Sequence, residues 1–396
     1  MVCQSVTIVL PLRRSPLLPI FLIVSVDVLG LTIILPLLPF YAEKLGASPT
    51  VVGLLVSTYA LCQLIAGPML GRLSDTTGRR PLLLVSQAGT FIGFVILAYA
   101  GSLWVVFLSR IIDGLTAGNL SLAQAYISDV TKPEDRAKSF GIIGIAFGMG
   151  FLVGPGVSGF LSQFSYQLPI FAAAGLSATS ILATYFLLPN SAPSQEDGKA
   201  QRRLTLLDWR AYLEYFRRPG LGPLLWQFFA FTFAFSMFIS GFALFAERRY
   251  TWNGQPFGPK QVGYVYAFVG FLGIILQGGL IGRLVKRFGE TRVTWAGFFS
   301  ATVGFAMLAF TYSIPMLLVV SAIASIGTGA LRPALTSLIT QKASRSEQGA
   351  VLGLNQSLMS ISSIVAPFLA GVLIDHRLLA AWALGAALVS AIGLLF

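Results

Sequence analysis

An arginine and an aspartate, Arg110 and Asp113, stand three residues apart in the apolar stretch FLSRIIDGLTAGNL (107–120). The flanking GSLWVV and SLAQAYI give them no water-facing surface. A third ionisable residue, Asp27, lies in the run IVSVDVLGLTIILPLLPF (23–40). An unpaired charge at mid-bilayer costs about 2.5–3.5 kcal/mol on insertion scales. Three isolated ones would cost about 8–10 kcal/mol together, comparable to a whole folding stability. They must therefore face an interior and pair. Arg110 and Asp113, at i and i+3, share one helix face. A carboxylate held this way can move a proton: a nearby guanidinium keeps it ionised, and once the two separate, burial favours the protonated form. Asp27 is the candidate proton carrier with Arg110 as its regulator, and Asp113 either shares the proton or neutralises Arg110. The bland alternative is an ion pair that only locks two helices, although a packed apolar pair would do that without the insertion cost.

Such charges imply a membrane, and composition agrees. The 396 residues are 55% hydrophobic and 11% charged, with a mean hydropathy of +0.79, whereas soluble domains carry about 25% charged residues. Crossing the hydrocarbon takes about 20 apolar residues. The chain offers twelve such runs, near 16–40, 51–70, 82–100, 103–127, 141–163, 168–188, 222–246, 261–281, 292–312, 314–340, 350–374 and 378–396. The first is too long, and carries an acid, to be a cleaved signal peptide. At 1.5 Å per residue, Asp27 lies about 16 Å into span 1 from one face and Asp113 about 15 Å into span 4 from the other.

Twenty of the 27 lysines and arginines fall on one side of this topology, with five on the other and Arg110 and Arg332 inside spans. By the positive-inside rule both termini are cytoplasmic, in a plasma membrane or bacterial inner membrane. The net charge of +12 is thus membrane orientation and does not indicate nucleic acid. Cys3, Cys62 and the single histidine, His376, form neither a disulfide framework nor a metal site. No HExxH, Gly-x-Ser-x-Gly or P-loop motif is present, which argues against an enzyme and against ATP-driven transport.

One long polar segment, 189–221, separates an N-terminal half (1–188) from a C-terminal half (222–396); its LTLLDWRAYLEYF portion is expected to form a short amphipathic helix on the inner surface. The halves repeat. GRLSDTTGRR (71–80) matches GRLVKRFGET (282–291), and VGPGVSGFL (153–161) matches VAPFLAGVL (365–373). Two parallel six-span repeats describe an alternating-access transporter with its site at midplane between the halves.

Three motifs carry a family likeness. GPMLGRLSDTTGRRPLLL, with Gly71, Asp75, Gly78, Arg79 and Arg80, resembles the loop signature of the major facilitator superfamily, and the second copy places Lys286 where the first has Asp75. Span 5, with Gly150, Gly154, Pro155 and Gly159, resembles the antiporter signature of that superfamily; close glycines let helices touch and proline bends the span. Asp27, Gly30, Pro36 and Pro39 of span 1, with LSRIIDGLTAG of span 4, resemble the twelve-helix tetracycline and multidrug:proton antiporters.

The resemblance implies an all-α membrane protein of two pseudo-symmetric six-helix bundles. It also implies a proton-coupled exporter of small lipophilic organic compounds, powered by the proton gradient without a cofactor and acting as a monomer. A symporter or facilitator for sugars or organic acids fits the same fold, though the span 5 pattern disfavours it. A non-transporting receptor or assembly factor is a further alternative. Candidate cavity residues are Gln63, Asn119, Gln124, Gln227, Gln277, Arg332, Asn355 and Gln356. Arg332 either snorkels to the interface or contacts an anionic substrate group. Span 7 has so many phenylalanines that some are expected to face lipid, and others to form an apolar wall.

Overall fold

The structure, a computed structural model, describes residues 17–131, 136–189, 209–343 and 347–396. Cys3, Arg13, Arg14, Lys132, Lys199, Arg202, Arg203 and Arg345 lie outside the described residues, as does most of the linker.

The apolar runs fold as helices. Helix α1 (Leu17–Ile34) bends by 42° into α2 (Leu38–Lys44), at a break where Pro36 lacks the amide needed to continue the ladder. Helices α3 (Pro49–Thr77) and α4 (Arg79–Ala98) are separated by Gly78 alone. Its φ of +93° is a conformation that side-chain-bearing residues rarely adopt. The fourth span, expected to be continuous, is two helices, α5 (Leu103–Leu115) and α6 (Asn119–Val130). Ser86 of α4 repairs the break: its hydroxyl donates to the Thr116 carbonyl and accepts from Gly118 N–H at 2.9 Å, so the freed backbone groups are satisfied inside the protein.

Helices α7 (Arg136–Leu161) and α8 (Gln167–Leu187) complete the first half. Within the predicted amphipathic segment, α9 covers Trp209–Arg217. The second half opens with α10 (Gly222–Arg249) and a hairpin of β1 (Thr251–Trp252) and β2 (Gln255–Pro256). Asn253 and Gly254 turn it, both at positive φ, as a tight hairpin requires. Then come α11 (Pro259–Ile275), a wide π turn through Leu276–Leu280, α12 (Ile281–Phe288), α13 (Glu290–Leu308), α14 (Ile314–Lys342), α15 (Gln348–Asp375) and α16 (Leu379–Ile392). Gly289, at φ +80°, separates α12 from α13, repeating the role of Gly78 at the matching position of the second half.

Among the described residues nine helices are long and apolar enough to cross a membrane, and the bent α1–α2 pair makes a tenth. Helices α13 and α16 occupy the ninth and twelfth predicted runs.

The largest apolar core surrounds α10. Its phenylalanines, some of which were expected to face lipid, are all buried or half-buried. Trp382 of α16 explains much of this. Fully buried, it donates Nε1–H to the Met237 carbonyl at 3.1 Å and packs 4.8 Å from the Phe245 ring. Gly241 leaves room for its indole: a Cβ there would lie 2.4 Å from Nε1.

Two crossings join the halves, α3 on α15 and α7 on α11. Both are closest at the end of the molecule away from α9, and both rely on glycine. A Cβ on Gly53 would lie 2.4 Å from the Pro367 carbonyl oxygen, and one on Gly263 2.4 Å from that of Pro155. Ser57 adds a hydrogen bond to the Ile364 carbonyl at 2.6 Å. Small residues permit this backbone-to-backbone contact.

Candidate functional site

Between the halves lies a cavity of about 1890 Å³. Its walls come from α3, α6 and α7 of the first half and α10, α11, α14 and α15 of the second. Its mouth is at the α9 end, where Arg72, Glu214, Arg218 and Glu347 line it. Arg218 joins Glu347 at 2.6 Å and Glu214 at 3.1 Å. The hydrogen bond to Glu347, then that to Glu214, holds the Arg218 guanidinium above its ordinary pKa. The opposite end is shut by the glycine crossings and by polar contacts between the halves: Glu43–Arg248 at 2.5 Å, Thr50–Asp375 at 2.6 Å and Lys260–Gln163 at 2.8 Å. The structure is open at one end and latched at the other.

Six of the eight sequence candidates line this space: Gln63, Gln124, Gln277, Arg332, Asn355 and Gln356. Two do not. Gln227 turns away from the cavity and donates to the Gly393 carbonyl at 3.0 Å, so it is a helix-packing residue. Asn119 begins α6 with its Oδ1 buried and unpartnered, while Ser121 and Gln124 take the cavity face. Arg332 does not snorkel away from the site; its side chain is exposed because the space it faces is the cavity. One wall is aromatic, built by Phe228, Phe231, Phe235 and Phe238 of α10 with Tyr266 and Phe305.

The charge cluster is not on this wall. Arg110 and Asp113 are buried inside the first half, 3.3 Å apart. Arg110 lies 5.9 Å from the centre of the Phe94 ring, and its Nη2 has no hydrogen-bond partner. Glycines admit α5 to this depth: a Cβ on Gly93 would meet that of Asp113 at 3.0 Å, and one on Gly114 would meet the Tyr59 carbonyl at 2.7 Å. Asp27 sits apart from Arg110. Ser180 of α8 and Gln87 of α4 stand beside its carboxylate, and Gln87 donates to Ser180 at 2.7 Å. Oδ1 of Asp27 has no hydrogen-bond partner, and among the described residues Asp27 has no ion pair.

Sequence reasoning missed Gln87, Ser180 and Tyr59. Tyr59 lies within the electrostatic reach of Asp27, Arg110 and Asp113, and its hydroxyl accepts from Gln63, a cavity residue, at 3.4 Å. It thereby joins the cluster to the cavity. Gln87 and Ser180 were detectable as polar interruptions of apolar runs, whereas an aromatic residue in a membrane span carries no such signal.

The loop motif is an ion-pair hub. Arg79, buried at the first turn of α4, contacts Asp75 at 2.5 Å, Asp129 of α6 at 2.8 Å and the Ser74 hydroxyl at 2.6 Å. Arg80 donates to the carbonyls of Thr184 and Tyr185 of α8. Gly71 contributes its carbonyl to Ser74 at 2.6 Å. The span 5 motif works on two sides. Gly150 and Gly154 admit Val28 and Thr32 of α1, and Thr32 donates to the Gly150 carbonyl at 2.9 Å. Pro155 and Gly159 face α11, where a Cβ on Gly159 would lie 3.0 Å from the Lys260 carbonyl.

Comparison with known proteins fits this architecture. The Major Facilitator Superfamily matches residues 20–367 and 278–396. The tetracycline resistance protein, class B, of Escherichia coli is 30% identical over 90% of this chain and 88% of its own length. The class G protein of Vibrio anguillarum is 34% identical over 89% of each. Multidrug resistance protein 2 of Bacillus subtilis is 27% identical over 89% of this chain and 87% of its own. The crystal structure of the human organic anion transporter MFSD10 superposes with a TM-score of 0.73 at 22% identity, covering 98% of this chain and 99% of that one. The chain belongs to the Major Facilitator Superfamily.

Proposed function

We propose that this protein is a proton-coupled antiporter that exports small lipophilic organic compounds by alternating access. One observation carries the reading: the cavity between the halves is open at the α9 end and shut at the other by contacts that are themselves inter-half. A rocking motion about the α3–α15 and α7–α11 crossings would exchange the open end. The lysine and arginine distribution supports a cytoplasmic α9 end, and on that orientation the structure is inward-facing. The relatives named for tetracycline and multidrug resistance support export of organic compounds.

Asp27 is the proton carrier in this reading. Among the described residues it has a free carboxylate oxygen and no ion pair, whereas Asp113 is committed to Arg110. Tyr59 and Gln63 mark the route from cavity to cluster. Protonation removes a charge from the interior of the first half and biases the two-state equilibrium. The test is counterflow in proteoliposomes of the purified chain. Asp27→Asn should abolish uphill export driven by a pH gradient while downhill exchange persists. Undiminished gradient-driven export by that variant would remove Asp27 from the mechanism.

A further inference from the structure

Resting on the export reading, the charge on the cavity wall bears on which compounds enter. Only two carboxylates line the cavity among the described residues, Glu214 and Glu347, and both are tied to Arg218 at the mouth. Asp27 and Asp113 are absent from the wall. Arg72 and Arg332 remain, and among the described residues neither has a carboxylate partner. Arg72 stands at the mouth and Arg332 well inside.

Polar side chains of α14 and α15 line the same cavity as Arg332. This arginine lies ten residues before the end of α14 at Lys342, about 15 Å up the helix. Asn355 lies seven residues into the antiparallel α15, about 10 Å up, so the two differ in depth by about one helical turn. Asn355 is 5% exposed, lines the cavity, and neither its Nδ2 nor its Oδ1 has a hydrogen-bond partner. Leaving a buried amide unsatisfied is costly, and a rotation of the side chain toward the cavity would let a ligand satisfy it. Ser321, deeper on α14, also lines the cavity with its Oγ buried and unpartnered. The aromatic wall of α10 lines the same cavity across a similar range of depth.

We propose that the cavity takes amphipathic compounds carrying an anionic group, held by the Arg332 guanidinium and the Asn355 amide, with the apolar body on the α10 phenylalanines. A planar guanidinium pairs with carboxylate or sulfonate oxygens through two hydrogen bonds, and an uncompensated cation on a low-dielectric wall repels a cationic drug. The site selects by charge.

The test uses two dyes on one xanthene scaffold, anionic fluorescein and cationic rhodamine 123, with binding to the purified full chain in detergent read by anisotropy. Fluorescein should bind more tightly than rhodamine 123. Arg332→Gln should weaken fluorescein about tenfold or more, the loss of one charge-assisted contact, and tighten rhodamine 123. Arg332→Lys, which keeps the charge, should retain most fluorescein binding and control for folding. A wild-type preference for rhodamine 123, or unaltered fluorescein affinity in Arg332→Gln, would overturn the proposal. Uphill dye export from proteoliposomes is scored separately. Rhodamine 123 export without fluorescein binding sinks the anion site and leaves the export reading standing; fluorescein binding without export of either dye does the reverse.

Discussion

Gly263 of α11 packs so closely on Pro155 of α7 that a methyl group at Gly263 would lie 2.4 Å from the Pro155 carbonyl oxygen. The repeat copies the contact: Gly53 stands at the same distance from the carbonyl of Pro367, the residue that aligns with Pro155. Backbone cannot retreat as a flexible side chain can. Gly263→Ala and Gly53→Ala should therefore disfavour the state open at the α9 end, since overpacking costs about 1–3 kcal/mol, or about 5- to 150-fold in population. Spin labels at Ser165 and Arg377, in loops of the two halves at the closed end, should report longer and broader distances. Unchanged distances would mean that the helices slide to absorb the methyl group.

The Arg110–Asp113 pair gives a prediction that separates structure from function. Removing one partner strands the other in a low-dielectric interior, at a cost of about 3–5 kcal/mol. Arg110→Gln and Asp113→Asn should each lower the thermal unfolding temperature in detergent. The double replacement Arg110→Met/Asp113→Leu should recover most of the loss. On the proposed antiport reading, export by that double variant decides the role: proton-driven uptake into inverted vesicles near the wild-type rate would make the pair a structural lock, and its loss at restored stability would make it part of the coupling machinery.

The bilayer makes much of this fold readable in sequence. A spanning helix must satisfy its own backbone, so apolar runs of about 20 residues mark the spans. The left-handed turns at Gly78 and Gly289 were visible as matched glycines in the repeat. Facing was harder to read than depth. Counting residues placed Asp27 and Asp113 at similar heights, but height does not give the direction of a side chain around its helix. Asp27 points toward Gln87 and Ser180 while Arg110 pairs with Asp113. Gln227 failed for the same reason: a polar residue in a span is satisfied equally well by a cavity or by the Gly393 carbonyl. The break at Thr116 was hidden because its remedy, Ser86, lies on another helix.

The loop hub and its second copy differ in a testable way. Arg79 bridges Asp75 and Asp129, and in the second half Glu290 stands where Arg79 does and Lys286 where Asp75 does. Gln341 donates to Glu290 at 3.1 Å, standing in for Asp129. The buried two-carboxylate hub is thus replaced by an exposed charge–dipole contact. Arg79→Gln should be more disruptive than Glu290→Gln, because it leaves two carboxylates facing each other. The backbone N–H at the α13 start, then Gln341, holds the Glu290 carboxyl below its ordinary pKa. Its contribution is therefore present above the unfolded-state pKa, about 4.3, and is lost as pH falls through the lower folded value. Thermal melts from about pH 6 to pH 3 should show a small acid-side loss that Glu290→Gln lacks.

At the closed end, Glu43 of the first half meets Arg248 of the second at 2.5 Å. The contact is partly exposed, so its strength is that of a surface pair, about 0.2–1 kcal/mol, and it should weaken with salt. Glu43→Gln should raise the fraction open at this end only about 1.4- to 5-fold at low ionic strength, and the increment should vanish near 1 M salt, where the screening length is about 3 Å. A charge swap, Glu43→Arg with Arg248→Glu, tests the pairing itself. Arg248 also contacts its neighbour Glu247 at 2.9 Å, and Glu247 hydrogen-bonds Glu43 across the halves, so the native latch already holds two carboxylates around one guanidinium and the swap keeps that balance. Rescue by the swap should therefore be nearly complete. Failure of the swap to restore the wild-type distribution would show that the Glu43–Arg248 contact does not set the closed end.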